Sequence, residues 1–97
     1  MIRAFQYPDR VTLEKAMSPG GFCLEPRRVA GLYELVYVCP CGCGVIGRLL
    51  VGDGHKPGGD RPSWSWNGSR EEPTLQPSVN HVDHWHGYLR SGYWVLA

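Results

Sequence analysis

The chain has 97 residues, and its 10 Lys plus Arg against 9 Asp plus Glu leave a formal net charge of +1. That balance gives no electrostatic case for a nucleic-acid or membrane-surface partner, and no apolar run approaches the roughly 20 residues needed to cross a bilayer. Glycine (13) and proline (8) are abundant, yet 42% of residues are hydrophobic and 11% aromatic, which excludes a disordered tail and a collagen-like chain. The length suits one domain spanning 1–97.

Residues Met1 to Asp9 lack a long apolar core and a small-residue cleavage site, so no secretory signal is expected and the chain reads as cytoplasmic. Residues 10–17 (RVTLEKAM) form the one stretch with acceptable helix propensity, ended by Pro19-Gly20-Gly21. From Leu32 to Cys39 the run LYELVYVC is dense in β-branched and aromatic residues and predicts a mostly buried strand. CPCGCG then turns the chain, and VIGRLLV (45–51) predicts the returning strand, which puts the cysteines at a hairpin tip.

Residues 52–63 (GDGHKPGGDRPS) read as an exposed loop. Trp64 and Trp66 share one face of a short strand that ends in an Asn67-Gly68 turn. Pro73 and Pro77 bracket an extended segment, and the C-terminal run splits at Ser91-Gly92 into a second hairpin. The fold class expected is mostly β, a compact single domain of short antiparallel strands and hairpins with at most one short helix near the N-terminus.

The cysteines carry the first chemical signal. Cys39, Cys41 and Cys43 lie within five residues, alternating with Pro40, Gly42 and Gly44, while Cys23 stands alone. Neighbours at i, i+2 pair poorly as disulfides, thiolates are good zinc ligands, and glycine lets a backbone wrap an ion. We therefore expect a zinc knuckle; the alternative is a run of small buried residues at a hairpin tip. Tetrahedral zinc needs a fourth ligand, and the candidates are Cys23, His55, His81, Asp83, His84 and His86. The cluster HVDHWH (81–86) is the favoured source, with Cys23 read as a buried small residue and His55 as solvated.

The segment PTLQPSVNHVDHWHG brings Ser78 close in sequence to those histidines. Such residues can build a nucleophile and its base, though a serine after proline also serves as an ordinary turn or cap residue. The four tryptophans can line a peptide groove or fill the core, and the core reading is favoured. Thr74 and Asn67 read as hydrogen-bonders behind a site or as turn residues.

Taken in order, CPCGCG, WxWNG, ExPTLxPS and WHGYLRxG resemble a small bacterial and phage domain family that includes the BubE-type peptidases of bacterial ubiquitination-like operons. The resemblance runs from about Leu32 to Val95 and leaves residues 1–30 outside it. It implies a zinc-containing serine-type peptidase that trims or deconjugates ubiquitin-like proteins, with Ser78 as nucleophile and His86 as base. Cys39, Cys41 and Cys43 would hold the zinc. Where the family commonly carries a cysteine three residues before that histidine, this chain has Asp83, so Asp83 or His84 is expected to complete the shell. The expected partner is a protein or peptide substrate, a ubiquitin-like protein among the candidates. Two other readings stand beside it. One is a non-enzymatic zinc-binding interaction module such as a phage accessory protein; the other is a metal-dependent hydrolase using an open zinc site.

Overall fold

Asp9 starts the helix. Its backbone is extended (φ −158°, ψ 174°) and its carboxylate accepts the Thr12 N–H at 2.8 Å, satisfying one of the donors that a helix start leaves free. The computed structural model, which describes all of Met1–Ala97, carries this helix, α1, over Arg10–Ala16 and closes it at Met17 with a left-handed φ of 47°. The observed span lies within the expected 10–17.

Nine strands make two sheets. The larger has the order β2-β3-β4-β5-β6, built from Phe22–Pro26, Leu32–Val38, Ile46–Asp53, Ser63–Trp66 and Leu75–Gln76. The smaller has the order β1-β9-β8-β7, built from Ile2–Arg3, Tyr93–Leu96, Trp85–Arg90 and Val79–His81. Both expected hairpins form: Val38 faces Ile46 at the cysteine end of β3–β4, and Arg90 faces Tyr93 across the Ser91-Gly92 turn. Ser91 and Gly92 both have positive φ (47° and 85°), the handedness that matches twisted antiparallel strands.

All strand pairs are antiparallel except β4–β5, where Leu50, Val51 and Asp53 face Ser63, Trp64 and Trp66 in parallel. The loop between them carries the chain back before β5 begins, which a direct hairpin turn could not do. Of the expected loop 52–63, Gly52 and Asp53 instead end β4 and the buried Ser63 opens β5; the residues between are exposed apart from Pro57, whose carbonyl accepts the Ser63 hydroxyl. Strands β1 and β2 lie in the N-terminal third, where sequence patterning had suggested only the helix.

The run of buried residues along β3 is explained by cover on both faces. Leu35, Tyr37 and Cys39 enter the main core, where they meet Phe22, Leu49, Val51, Trp66 and Leu75 of their own sheet and Val79, Trp85, Leu89 and Trp94 of the other. Val36 and Val38 point the opposite way and pack with Cys23 beneath Leu13 of α1. Cys23 is thus a buried core residue. Glu34 is buried in the same sheet, its carboxylate 2.7 Å from Arg61, 3.4 Å from Arg27 and 3.8 Å from Arg48. The two sheets meet at Pro77-Ser78, where the chain leaves the β6 edge of one and becomes the β7 edge of the other.

Candidate functional site

Ser78 sits at that crossing. Six hydrogen bonds fix the segment leading to it. Asn67 accepts the N–H groups of Ser69 and Thr74 (both 3.1 Å) and donates to the Glu72 carbonyl, which closes the loop before β6. Thr74 Oγ1 then accepts the Ser91 N–H at 2.8 Å, and the Pro73 carbonyl accepts from Gly92, so the loop is tied to the β8–β9 turn. Finally the indole N–H of Trp64 donates to the Ser78 carbonyl at 3.0 Å. Asn67 and Thr74 are therefore organisers of the segment. The tryptophans divide: Trp66, Trp85 and Trp94 are core, while the half-buried Trp64 borders the serine.

His86 lies on β8, opposite Asn80 of β7. Ser78 lies two residues before Asn80, on the diagonal from His86, and His86 Nε2 is 3.3 Å from Ser78 Oγ, with the pair open to solvent. A hydroxyl donating to an imidazole nitrogen is the arrangement that activates a serine, and such contacts commonly tighten from apo lengths when substrate binds. Gly87 is paired with Val79 beside this contact, and a Cβ there would run into the Val95 carbonyl and come within 2.6 Å of the Trp85 ring. Glycine at this position lets β9 and the Trp85 ring close up behind the histidine.

Two depressions of about 480 Å³ each are lined by neighbours of the Ser78–His86 pair, Pro77 and Tyr88 in one and Asn80 in the other, though by neither residue itself. One starts at Pro77 and follows the outward residues of β8, Tyr88 and Arg90, with Thr74, Gln76 and Lys56 on its other walls. The second contains Trp64, Asn80, His81 and His84 together with Arg48 and Arg61. Burial and the neighbouring His84 hold the His81 imidazole below its ordinary value, so it is held toward the neutral form. Tyr88 and Arg90 did not stand out in the sequence, although the i, i+2, i+4 spacing of His86, Tyr88 and Arg90 along one strand face was available to find them.

At the β3–β4 tip the Cys39 N–H donates to the Val45 carbonyl at 2.9 Å and closes the loop, with Gly42 and Gly44 at φ 83° and 81°. The sulfurs of Cys39, Cys41 and Cys43 lie within 4.8 Å of one another, and Cys39 Sγ is 3.2 Å from Cys41 Sγ. Tetrahedral zinc with bonds of about 2.3 Å sets sulfurs about 3.8 Å apart, so small adjustments of this loop suffice to hold a metal ion. The donor set fits. Burial pushes the Cys39 thiol up, while hydrogen bonding from Cys39 and then Cys43 pulls Cys41 down.

Asp83 and His84 stand outside this group: neither has a ligand atom within 4.8 Å of all three sulfurs. Asp83 occupies the β7–β8 turn with φ 65°. His84 is exposed, lies against His81 with ring centroids 4.9 Å apart and planes tilted by 47°, and shares a depression with Pro40 and Cys41. The knuckle therefore abuts the turn that delivers His86. Of the other candidates, Cys23 is buried beneath α1, His55 is exposed on the loop after β4, and His86 is engaged with Ser78.

A two-sheet β domain with a serine–histidine contact and three clustered cysteines that could hold a metal ion fits a small serine hydrolase. The chain matches the family described as bacterial ubiquitination-like system serine protease (BubE) over residues 9–97, and it belongs to that family. The match begins well before Leu32 and takes in α1 and β2. Neither the curated proteins nor the solved structures gave a match.

Proposed function

We propose that this protein is a zinc-stabilised serine peptidase that trims or deconjugates a ubiquitin-like protein, with Ser78 as nucleophile and His86 as base. The observation that carries the reading is the 3.3 Å approach of Ser78 Oγ to His86 Nε2 on an open surface. Ser78 passes its proton to Nε2 as Oγ bonds to the carbonyl carbon, and His86 hands that proton to the leaving nitrogen. Water then enters by the same route in reverse and releases the acyl group. For the developing oxyanion, β7 is an edge strand, so of the successive Val79 and Asn80 N–H groups one points away from β8.

Cys39, Cys41 and Cys43 would hold the zinc, with His84 or Asp83 moving in as fourth ligand. The ion would staple the cysteine loop against the β7–β8 turn, adding to the stability supplied by the core. Four free cysteines suit a reducing cytoplasm. The reading is tested by incubating the protein with a mixed peptide library and with a ubiquitin-like protein carrying a C-terminal extension, and identifying products by mass spectrometry. Cleavage that falls about 10³-fold or more in both Ser78→Ala and His86→Ala supports it. No cleavage by the zinc-loaded wild-type protein leaves the interaction-module reading; cleavage undiminished in Ser78→Ala but abolished by chelation leaves the metal-dependent one.

A further inference from the structure

The two depressions beside the dyad differ in the state of their cations. Arg61 and Arg48 in one are tied to the buried Glu34 at 2.7 and 3.8 Å, a carboxylate they share with Arg27, so their side chains are already engaged within the protein. Lys56 and Arg90 in the other have no carboxylate partner: no Asp or Glu lines that cleft, and neither cation takes part in an ion pair. Lys56 Nζ reaches only the Ser63 hydroxyl, at 3.4 Å. The Arg90 guanidinium lies over the Tyr88 ring, 4.0 Å from its centroid, which positions it while leaving its N–H groups free to donate.

Arg90 is also placed at a definite distance from the chemistry. It follows His86 by four positions on the same outward face of β8, about 14 Å at about 3.4 Å per residue, and it follows Tyr88, the residue level with Ser78, by two, about 7 Å. An extended peptide beside β8 spans these distances with about two to four residues. Between the two ends the walls are Pro77, Tyr88 and the polar Thr74 and Gln76, a lining suited to an extended main chain.

We propose that Arg90 and Lys56 form a carboxylate-binding subsite that recognises an acidic group of the substrate about two to four residues from the bond cleaved. The proposal rests on Ser78 and His86 being the reacting pair. Two sources present this chemistry, an Asp or Glu side chain and a C-terminal main-chain carboxylate, and both are met by the same forked, charge-assisted hydrogen bonds.

The test uses the full-length Ser78→Ala protein, ¹⁵N-labelled and loaded with zinc, titrated with three acetylated alanine–glycine pentapeptides. One has a free C-terminus, one is amidated with an internal Glu, and one is amidated and neutral. At least one acid peptide is expected to shift the Arg90 Nε–Hε signal and to bind about tenfold more tightly than the neutral one. Whichever acid peptide does so identifies the source. The preference is expected to disappear in the Ser78→Ala protein that also carries Arg90→Gln and Lys56→Gln. Equal binding of all three peptides, a preference that survives those substitutions, or no binding up to about 10 mM overturns the proposal. If the preference is found but the wild-type protein cleaves nothing, the peptidase reading fails while the carboxylate site stands; cleavage without the preference removes the subsite alone.

Discussion

The indole of Trp64 in the five-stranded sheet donates to the carbonyl of Ser78, where the chain enters the four-stranded sheet, at 3.0 Å. One side chain thereby couples the position of the serine to the sheet opposite His86. Trp64→Phe keeps most of the ring and removes the donor. The expected cost in stability is about 1 kcal/mol by urea unfolding, with a fall in kcat of about tenfold. Unchanged kcat would show that the serine is held without this bond.

The metal account predicts one zinc per chain by elemental analysis of protein purified without chelator. Stripping it is expected to lower the thermal midpoint by about 10 °C or more. Cys39→Ser should be the most damaging of the three substitutions, because Cys39 is fully buried while Cys41 and Cys43 are exposed. Metal-free protein with an unchanged midpoint would sink the knuckle proposal.

Gly87→Ala introduces a Cβ against the Val95 carbonyl and the Trp85 ring. Backbone and core aromatic cannot both yield, so a destabilisation of about 1–3 kcal/mol is expected, together with a loss of activity as β8 shifts under His86. Gly42→Ala is the control: its φ of 83° strains any side chain, but no atom lies within 4 Å of the added carbon. Its effect should be confined to the cysteine loop, seen as weakened metal affinity at near-normal dyad geometry.

The helix cap gives a pH dependence. Side-chain and backbone hydrogen bonds from Thr12 hold the Asp9 carboxyl below its ordinary 3.8. The unfolded chain therefore takes up this proton first as pH falls. The cap's contribution is complete above about pH 3.8 and is lost as the solution is acidified through the lower folded value. The stability difference between wild type and Asp9→Asn should shrink across that window, in step with the Thr12 amide shift. Parallel stability curves from pH 2 to 7 would contradict it.

The β3–β4 and β8–β9 hairpins were legible because each couples apolar strand residues to an obligatory turn, the cysteine–glycine loop in one case and Ser91-Gly92 in the other. Helix α1 was legible from its run of helix formers. Strand β2 was not: FCLEP is short, contains Glu25 and Pro26, and owes its state to pairing with β3. The parallel β4–β5 pair was hidden for a related reason, since the exposed loop between them says nothing about direction. In the site, Ser78 and His86 are only eight residues apart across one turn, so a meeting was compatible with the spacing, while the choice of His86 among the neighbouring histidines came from the family resemblance. The cleft holding Lys56 and Arg90 draws on separated segments of chain, and only the folded arrangement brings these together.

The most direct test of the central claim is covalent labelling by a fluorophosphonate probe, read by intact mass and peptide mapping. The account predicts one adduct per chain, on Ser78, absent in Ser78→Ala and much slower in His86→Ala although both variants remain folded. A folded, metal-loaded wild-type protein that takes no label, or takes it equally after Ser78→Ala, would contradict it.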